Sequence, residues 1–148
     1  MTRWKQYRRA ILRSFALLGV SLAAIVAYQL PVDPPLLPLA PCGVNQWVTT
    51  ACYTSTIAGV NTYIGANFTN DLASIPHLAA KAIGIDHDHP TIRRGALTHD
   101  WRYRHHIGTR EQADWLLWQA CLEDGMEPAK AEAIFQWVQA WGWRAWER

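Results

Sequence analysis

Apolar and polar positions alternate with different periods in successive parts of the chain. Residues 14–30 read SFALLGVSLAAIVAYQL, seventeen residues without a charge. With Ala10, Ile11 and Leu12 added and Arg13 snorkelling toward headgroups, the run reaches about the twenty residues that a bilayer requires. Residues 31–41 (PVDPPLLPLAP) hold five prolines, which exclude a helix and predict an extended stalk. Residues 46–66 are rich in Thr, Val, Ile and Tyr and are punctuated by Gly59 and Gly65, a pattern of one or two short strands. Helical spacing takes over afterwards. Residues 75–83 predict a short helix with Pro76 in its first turn, ended by Gly84. A second helix starts at a Thr91 cap and runs to about His106, with Gly108 closing it. Thr109 opens a third, with Gln112 in capping-box position, reaching about Asp124. A fourth spans about 128–147 and carries Ile134, Trp137, Val138 and Trp141 on one stripe.

Charge refines this picture. Arg3, Lys5, Arg8, Arg9 and Arg13 put five positive charges into the first thirteen residues without an acid. This one-sided basic flank predicts, by the positive-inside rule, a cytoplasmic head and a single-pass anchor. A signal peptide cleaved near Ala24–Ala27 is the competing reading of the same run. From Cys42 onward nine Lys/Arg face eleven Asp/Glu, so the domain itself is slightly acidic and a nucleic-acid-binding face is excluded. On this reading the chain is a bacterial inner-membrane protein with residues 42–148 in the periplasm. There Cys42 and Cys52 are placed to close a small loop as a disulfide, or else are two unrelated thiols. Cys121 falls on an apolar helical face and reads as a buried thiol.

The candidate chemistry lies in residues 96–114, ALTHDWRYRHHIGTREQAD. His99 and Tyr103 are four apart and share a helix face. The turn at Ile107-Gly108 folds the next helix back, and Asp114 lies about as far after that turn as His99 lies before it. In such a helical hairpin Asp114 orients the His99 ring and stabilises its imidazolium, while Tyr103 hydrogen-bonds the same carboxylate. This base-plus-orienter arrangement activates a water or hydroxyl nucleophile. Asp100, pointing aside, ligates a hard cation such as Ca²⁺ if carbonyls join it. The plainer reading of these residues is a satisfied polar network that fixes the fold.

Other positions read more simply. Asp86, His87, Asp88 and His89 are metal-ligand types in a loop that reads as solvated. His105 and His106 sit where a helix C-terminus favours positive charge. Trp115 with Trp118 and Trp137 with Trp141 are spaced to pack two helices together. Trp143 and Trp146, with Arg144 and Arg148, fall off the stripe and suit an interface.

Three separated blocks resemble a family of unknown function common in phage and prophage genomes, number 1353 in the domain-of-unknown-function series. They are Phe68-Thr69-Asn70-Asp71-Leu72-Ala73-Ser74-Ile75-Pro76, then Ala96-Leu97-Thr98-His99-Asp100-Trp101-Arg102-Tyr103-Arg104, then Arg110-Glu111-Gln112-Ala113-Asp114, within about residues 62–143. Asn70 stands between a threonine and an aspartate that are adjacent in the family pattern. More locally, the His-Asp-x-x-Tyr helix followed by an Ala-Asp helix is similar to the core of secreted phospholipases A2. That similarity implies His99 as base, Asp100 as Ca²⁺ ligand, and Tyr103 and Asp114 as support. The chain lacks that family's glycine-rich calcium loop and disulfide framework, leaving Asp71 as the nearby residue for further ligation or anion handling. Asp71 also suits the cap of the helix near Ile75.

Together these readings predict a mainly α protein: a basic head (1–13), a transmembrane anchor (14–30), a Pro-rich stalk (31–41) and an exported domain (42–148) of three to four helices with a minor β element. The expected function is that of a membrane-anchored phage or prophage envelope protein with a His/Asp site for Ca²⁺-assisted ester hydrolysis. Its expected partners are the membrane, phospholipid or another envelope or phage protein. The alternative is a non-catalytic envelope module that aids lysis, excludes superinfection or docks another phage protein.

Overall fold

The computed structural model describes residues 33–72, 81, 84 and 89–147. The chain divides into two units, Met1–Pro31 and Val32–Arg148, and every described residue belongs to the second. The basic head, the span expected at 14–30, the helix expected at 75–83 (Lys81 apart) and residues 86–88 of the polar loop lie outside the described residues.

Among the described residues, five strands precede four helices: β1 (Leu39–Gly43), β2 (Gln46–Thr49), β3 (Tyr53–Ile57), β4 (Val60–Ile64), β5 (Thr69–Asn70), α1 (Pro90–Arg104), α2 (Arg110–Glu123), α3 (Pro128–Trp141) and the single-turn α4 (Trp143–Trp146). The mainly α expectation is thereby corrected, because two antiparallel sheets, ordered β1-β2-β5 and β3-β4, accompany the helices. Strand pairing begins inside the segment expected to be a stalk. Leu39, Ala40 and Pro41 face Thr49, Val48 and Trp47 across the first ladder. Proline is tolerated there because β1 is an edge strand, which leaves one side of its backbone unpaired.

The β3-β4 hairpin forms because β-branched residues alternate around a two-residue turn. Ser55, Ile57, Thr62 and Ile64 are buried while Thr54, Thr56, Asn61 and Tyr63 are exposed. Ala58 and Gly59 both take left-handed φ values, 47° and 75°, as the tight turn that matches strand twist requires. The Ala58 amide donates to Glu123 Oε1 at 2.8 Å, fastening the turn to the end of α2. On its buried face Ile57 packs with Leu116 and Ala120 of α2. Two polar hooks join the hairpin to α1: Thr98 Oγ1 and Ser55 Oγ hydrogen-bond at 2.8 Å, and Arg102 donates to Thr62 Oγ1 at 2.8 Å.

α1 and α2 make the expected helical hairpin. Gly95 lets them approach closely, since a Cβ there would lie 2.9 Å from a Leu117 methyl and 3.1 Å from the Ala120 Cβ. Thr109 caps α2, its hydroxyl accepting from the Gln112 amide at 3.2 Å. The Gln112 side chain does not complete the capping box; its oxygen accepts from Arg102 at 2.9 Å. The cap of α1 is His89, whose Nδ1 accepts from the Thr91 amide, and not Thr91 itself. The last helix is shorter than expected and breaks at Gly142. Trp141 there is 47% exposed and does not pack as a core residue, although it lies beside Trp137.

No helix among the described residues is long and apolar enough to cross a membrane. α1, the longest, has fifteen residues and carries Arg93, Arg94, Asp100, Arg102 and Arg104. A span needs about 20 apolar residues. The single-pass anchor, the membrane as partner, and the inner-membrane and periplasmic placement built on them are corrected to this extent: no described helix supplies a membrane span. Cys42 and Cys52 are free and exposed, so the expected loop-closing disulfide is not formed. Cys121 is buried, and burial, reinforced by Asp124, pushes its thiol up to about 12.

Candidate functional site

The α1-α2 turn sets the site. Ile107 and Gly108 (φ 77°) reverse the chain, which carries Asp114 of α2 back against His99 of α1. His99 Nε2 lies 2.9 Å from Asp114 Oδ1, and the Tyr103 hydroxyl donates to that same oxygen at 2.5 Å. The rings of His99 and Tyr103, one helical turn apart, lie with centroids 4.0 Å apart. Asp114 Oδ2 accepts from Gln139 Nε2 at 2.7 Å and from Arg110 at 3.1 Å. The same Arg110 nitrogen reaches the Val138 and Gln139 carbonyls near the end of α3. Asp114 is therefore wholly buried yet met by four donors from three helices.

Gly142 makes room for this network. A Cβ there would lie 2.4 Å from the Tyr103 hydroxyl oxygen, so any larger residue displaces the phenol. Trp146 of α4 closes the other side, packed edge-on against Tyr103 at 5.1 Å. His106 (φ 49°) joins it through a 2.8 Å contact from its ring to the Trp146 carbonyl oxygen. His105 caps the end of α1, its ring stacked on Trp101 at 3.9 Å and bonded to the Trp101 carbonyl.

An ionised carboxylate only accepts hydrogen bonds, so His99 donates Nε2–H to Asp114 and keeps the lone pair on Nδ1. Nδ1 lies on the side of Asp100, 3.6 Å from its Oδ1. Burial opposes the imidazolium, but the Asp100 and Asp114 carboxylates outweigh it and the His99 pKa moves up from 6.5. Burial, together with Asp71, raises Asp100 above 3.8 against the opposing pull of His99 and Arg104. Burial and Asp114 raise the Tyr103 phenol, which keeps it a donor at any ordinary pH.

A cleft of about 720 Å³ opens beside these groups, with His99, Asp100, Tyr103, Asp71, Asn70 and Arg104 among its lining. Asp71 is brought there by β5. Thr49 anchors the turn before that strand, donating to the Gly65 carbonyl and accepting from the Phe68 amide. Asn70 pairs opposite Trp47, and its buried Oδ1 has no hydrogen-bond partner. Among the described residues no three His, Cys, Asp or Glu side chains converge as a metal-binding group. Two carboxylate residues and an amide residue are among the lining of the cleft, and oxygen donors of these types suit a hard cation.

All five residues singled out in the sequence, His99, Asp100, Tyr103, Asp114 and Asp71, thus line or adjoin one cleft. His89, by contrast, is a helix cap. Arg110, Gln139, Asn70 and Arg104 were not singled out. Of these, Arg110 had a usable signal, since it stands four residues before Asp114 on one helix.

A family model described as "Protein of unknown function (DUF1353)" matches residues 46–138, from β2 into α3. No curated protein and no solved structure matches the chain.

Proposed function

The chain belongs to the DUF1353 family, and we propose that its cleft hydrolyses a carboxylic ester with His99 as general base. The observation that carries this reading is the division of labour between the two imidazole nitrogens. Nε2 is held by a buried carboxylate at 2.9 Å, while Nδ1 is turned the other way, toward Asp100 at a cleft.

In the proposed reaction Nδ1 accepts a proton from a water as the water oxygen bonds to the ester carbonyl carbon. Asp114 stabilises the imidazolium so formed, and Tyr103, Arg110 and Gln139 keep that carboxylate from rotating away. The tetrahedral adduct then expels the alkoxide as its C–O bond breaks, and the imidazolium returns the proton to the leaving oxygen. Asp71 and Asp100, with Asn70 beside them, are the residues that would hold a Ca²⁺ ion, which when bound supplies Lewis-acid stabilisation for the developing oxyanion.

Incubating the full-length protein with 4-nitrophenyl acetate and following nitrophenolate release tests the reading. Hydrolysis above the buffer rate that His99→Asn lowers by about 10²–10⁴-fold supports it. An unchanged rate in that variant, or no hydrolysis of any ester offered, removes it.

The saturation of Asp114 favours a second reading, in which the network only joins α1, α2 and α3 in a non-catalytic module. His99→Asn then lowers stability and nothing else.

A further inference from the structure

Asn70, on the lining of the cleft, buries a polar atom that nothing in the chain satisfies. The residue is only 4% exposed, and its Nδ2 donates to the Trp47 carbonyl oxygen at 3.4 Å. That bond fixes which end of the carboxamide is which. A carbonyl only accepts, so the amino group faces Trp47 and Oδ1 is the end left over. An acceptor buried without a partner costs the fold free energy that a donor would return.

The strand that carries Asn70 is firmly held, and the carboxamide is not. Its backbone pairs opposite Trp47 in the β2-β5 ladder. Arg104 braces the strand from α1, donating to the Thr69 carbonyl at 3.2 Å with its guanidinium 4.8 Å over the Phe68 ring. The Nδ2 bond, by contrast, is longer than the usual range of about 2.7–3.2 Å, so little opposes a small turn of the carboxamide that brings Oδ1 to a donor in the cleft. The Tyr103 hydroxyl on the same lining is already committed to Asp114.

We propose that Asn70 is a specificity-determining residue whose Oδ1 accepts from an O–H or N–H group of the substrate, and that the substrates are therefore esters carrying such a donor close to the reacting carbonyl. An ether or a bare methylene in that place leaves Oδ1 unpaired, which is how a buried polar group discriminates. The proposal rests on the reading of the cleft as a hydrolytic site for its ester and adds the class of substrate. The acceptor itself needs neither a metal ion nor turnover.

The test uses the full chain in EDTA with three ketones, which share the carbonyl of an ester and cannot be hydrolysed. They are phenethyl hydroxymethyl ketone, its O-methyl ether, and the acetamidomethyl analogue. In NMR titrations the hydroxymethyl and acetamidomethyl ketones should bind more tightly than the ether by about 5–100-fold, the range of one buried acceptor satisfied or left unpaired. Asn70→Leu, similar in volume and without the oxygen, should erase that preference and leave the ether bound as before. Its unfolding midpoint should stay near the wild type's or rise, because the unpaired oxygen is gone. Tightening by one donor ketone alone supports the proposal and narrows the class to that donor.

A wild type that binds the ether as tightly as both donor ketones overturns the proposal, as does a preference that survives Asn70→Leu. So does a protein that binds none of the three. Should Asn70→Leu fail to fold, the ¹³Cγ resonance of Asn70 in the wild type decides. It should move with the hydroxymethyl ketone and not with the ether, and a resonance that ignores both overturns the proposal. Hydrolysis of 4-nitrophenyl acetate, followed separately with Ca²⁺, distinguishes the two claims. Donor preference without hydrolysis keeps the acceptor and removes the hydrolase. Hydrolysis without donor preference does the reverse.

Discussion

The α1-α2 hairpin carries a buried acid at each end, and the two acids are used differently. At the closed end Arg94 meets Asp124 through Nε and a terminal nitrogen, at distances down to 2.7 Å, and also reaches Glu123 and the Thr56 carbonyl. At the open end Asp114 meets His99, Tyr103, Arg110 and Gln139. Both carboxylates are well satisfied, but the closed end pairs its acid with a group that never titrates. The open end pairs its acid with an imidazole whose second nitrogen lies on the cleft side. A saturated ion pair between permanent charges holds a fold. A saturated acid behind a titratable base also holds that base in one tautomer, ready for proton transfer.

The largest effect expected of this contrast is at the closed end. Asp124→Ala leaves the Arg94 cation, only 9% exposed, with Glu123 alone at a more open position, and should cost about 3–5 kcal/mol in denaturant unfolding. Specific activity per folded molecule should not change; a fall in activity would erase the distinction between the two ends. At the open end His99→Asn should cost less stability, about 1–3 kcal/mol, and remove nearly all hydrolysis.

pH sharpens the same comparison. His99 has a folded pKa above 6.5, so its imidazolium contributes stability that is full below 6.5 and lost as pH rises through the folded value. The stability gap between the wild type and His99→Asn should therefore narrow with rising pH. Hydrolysis, which needs the neutral ring, should grow over the same interval. The cost of Asp124→Ala should stay constant across it. Gly142→Ala should lower the rate far less than His99→Asn does. Pushing the Tyr103 phenol off Asp114 should cost about 1–3 kcal/mol and a few-fold in rate, with the pH midpoint shifted.

Much of the open end was legible in the sequence because it is local. The Gly108 reversal, the Thr109 cap and the four-residue step from His99 to Tyr103 fix where Asp114 must fall once two helices turn back on each other. Gln139 was not legible. It lies 25 residues from Asp114 and reaches it only through the packing angle of α3, on which its own neighbourhood of Trp and Ala is silent. The β content was read short for a similar reason. Tyr53–Ile64 alternates as strands do, but Leu39–Pro41 is hidden among prolines, and only an edge position that spares the proline nitrogen makes it a strand. Arg104 escaped notice because a helical arginine is ordinarily a solvated charge. Its meaning comes from Phe68 and Thr69, which belong to another element.

The most direct measurement is a ¹⁵N NMR titration of the His99 ring in the full-length protein. The account predicts a neutral ring protonated at Nε2 and bare at Nδ1, with a midpoint above 6.5 that falls when Asp114 is replaced by Asn. A neutral ring carrying its proton on Nδ1, or a midpoint below 6.5 that ignores the Asp114 substitution, contradicts it.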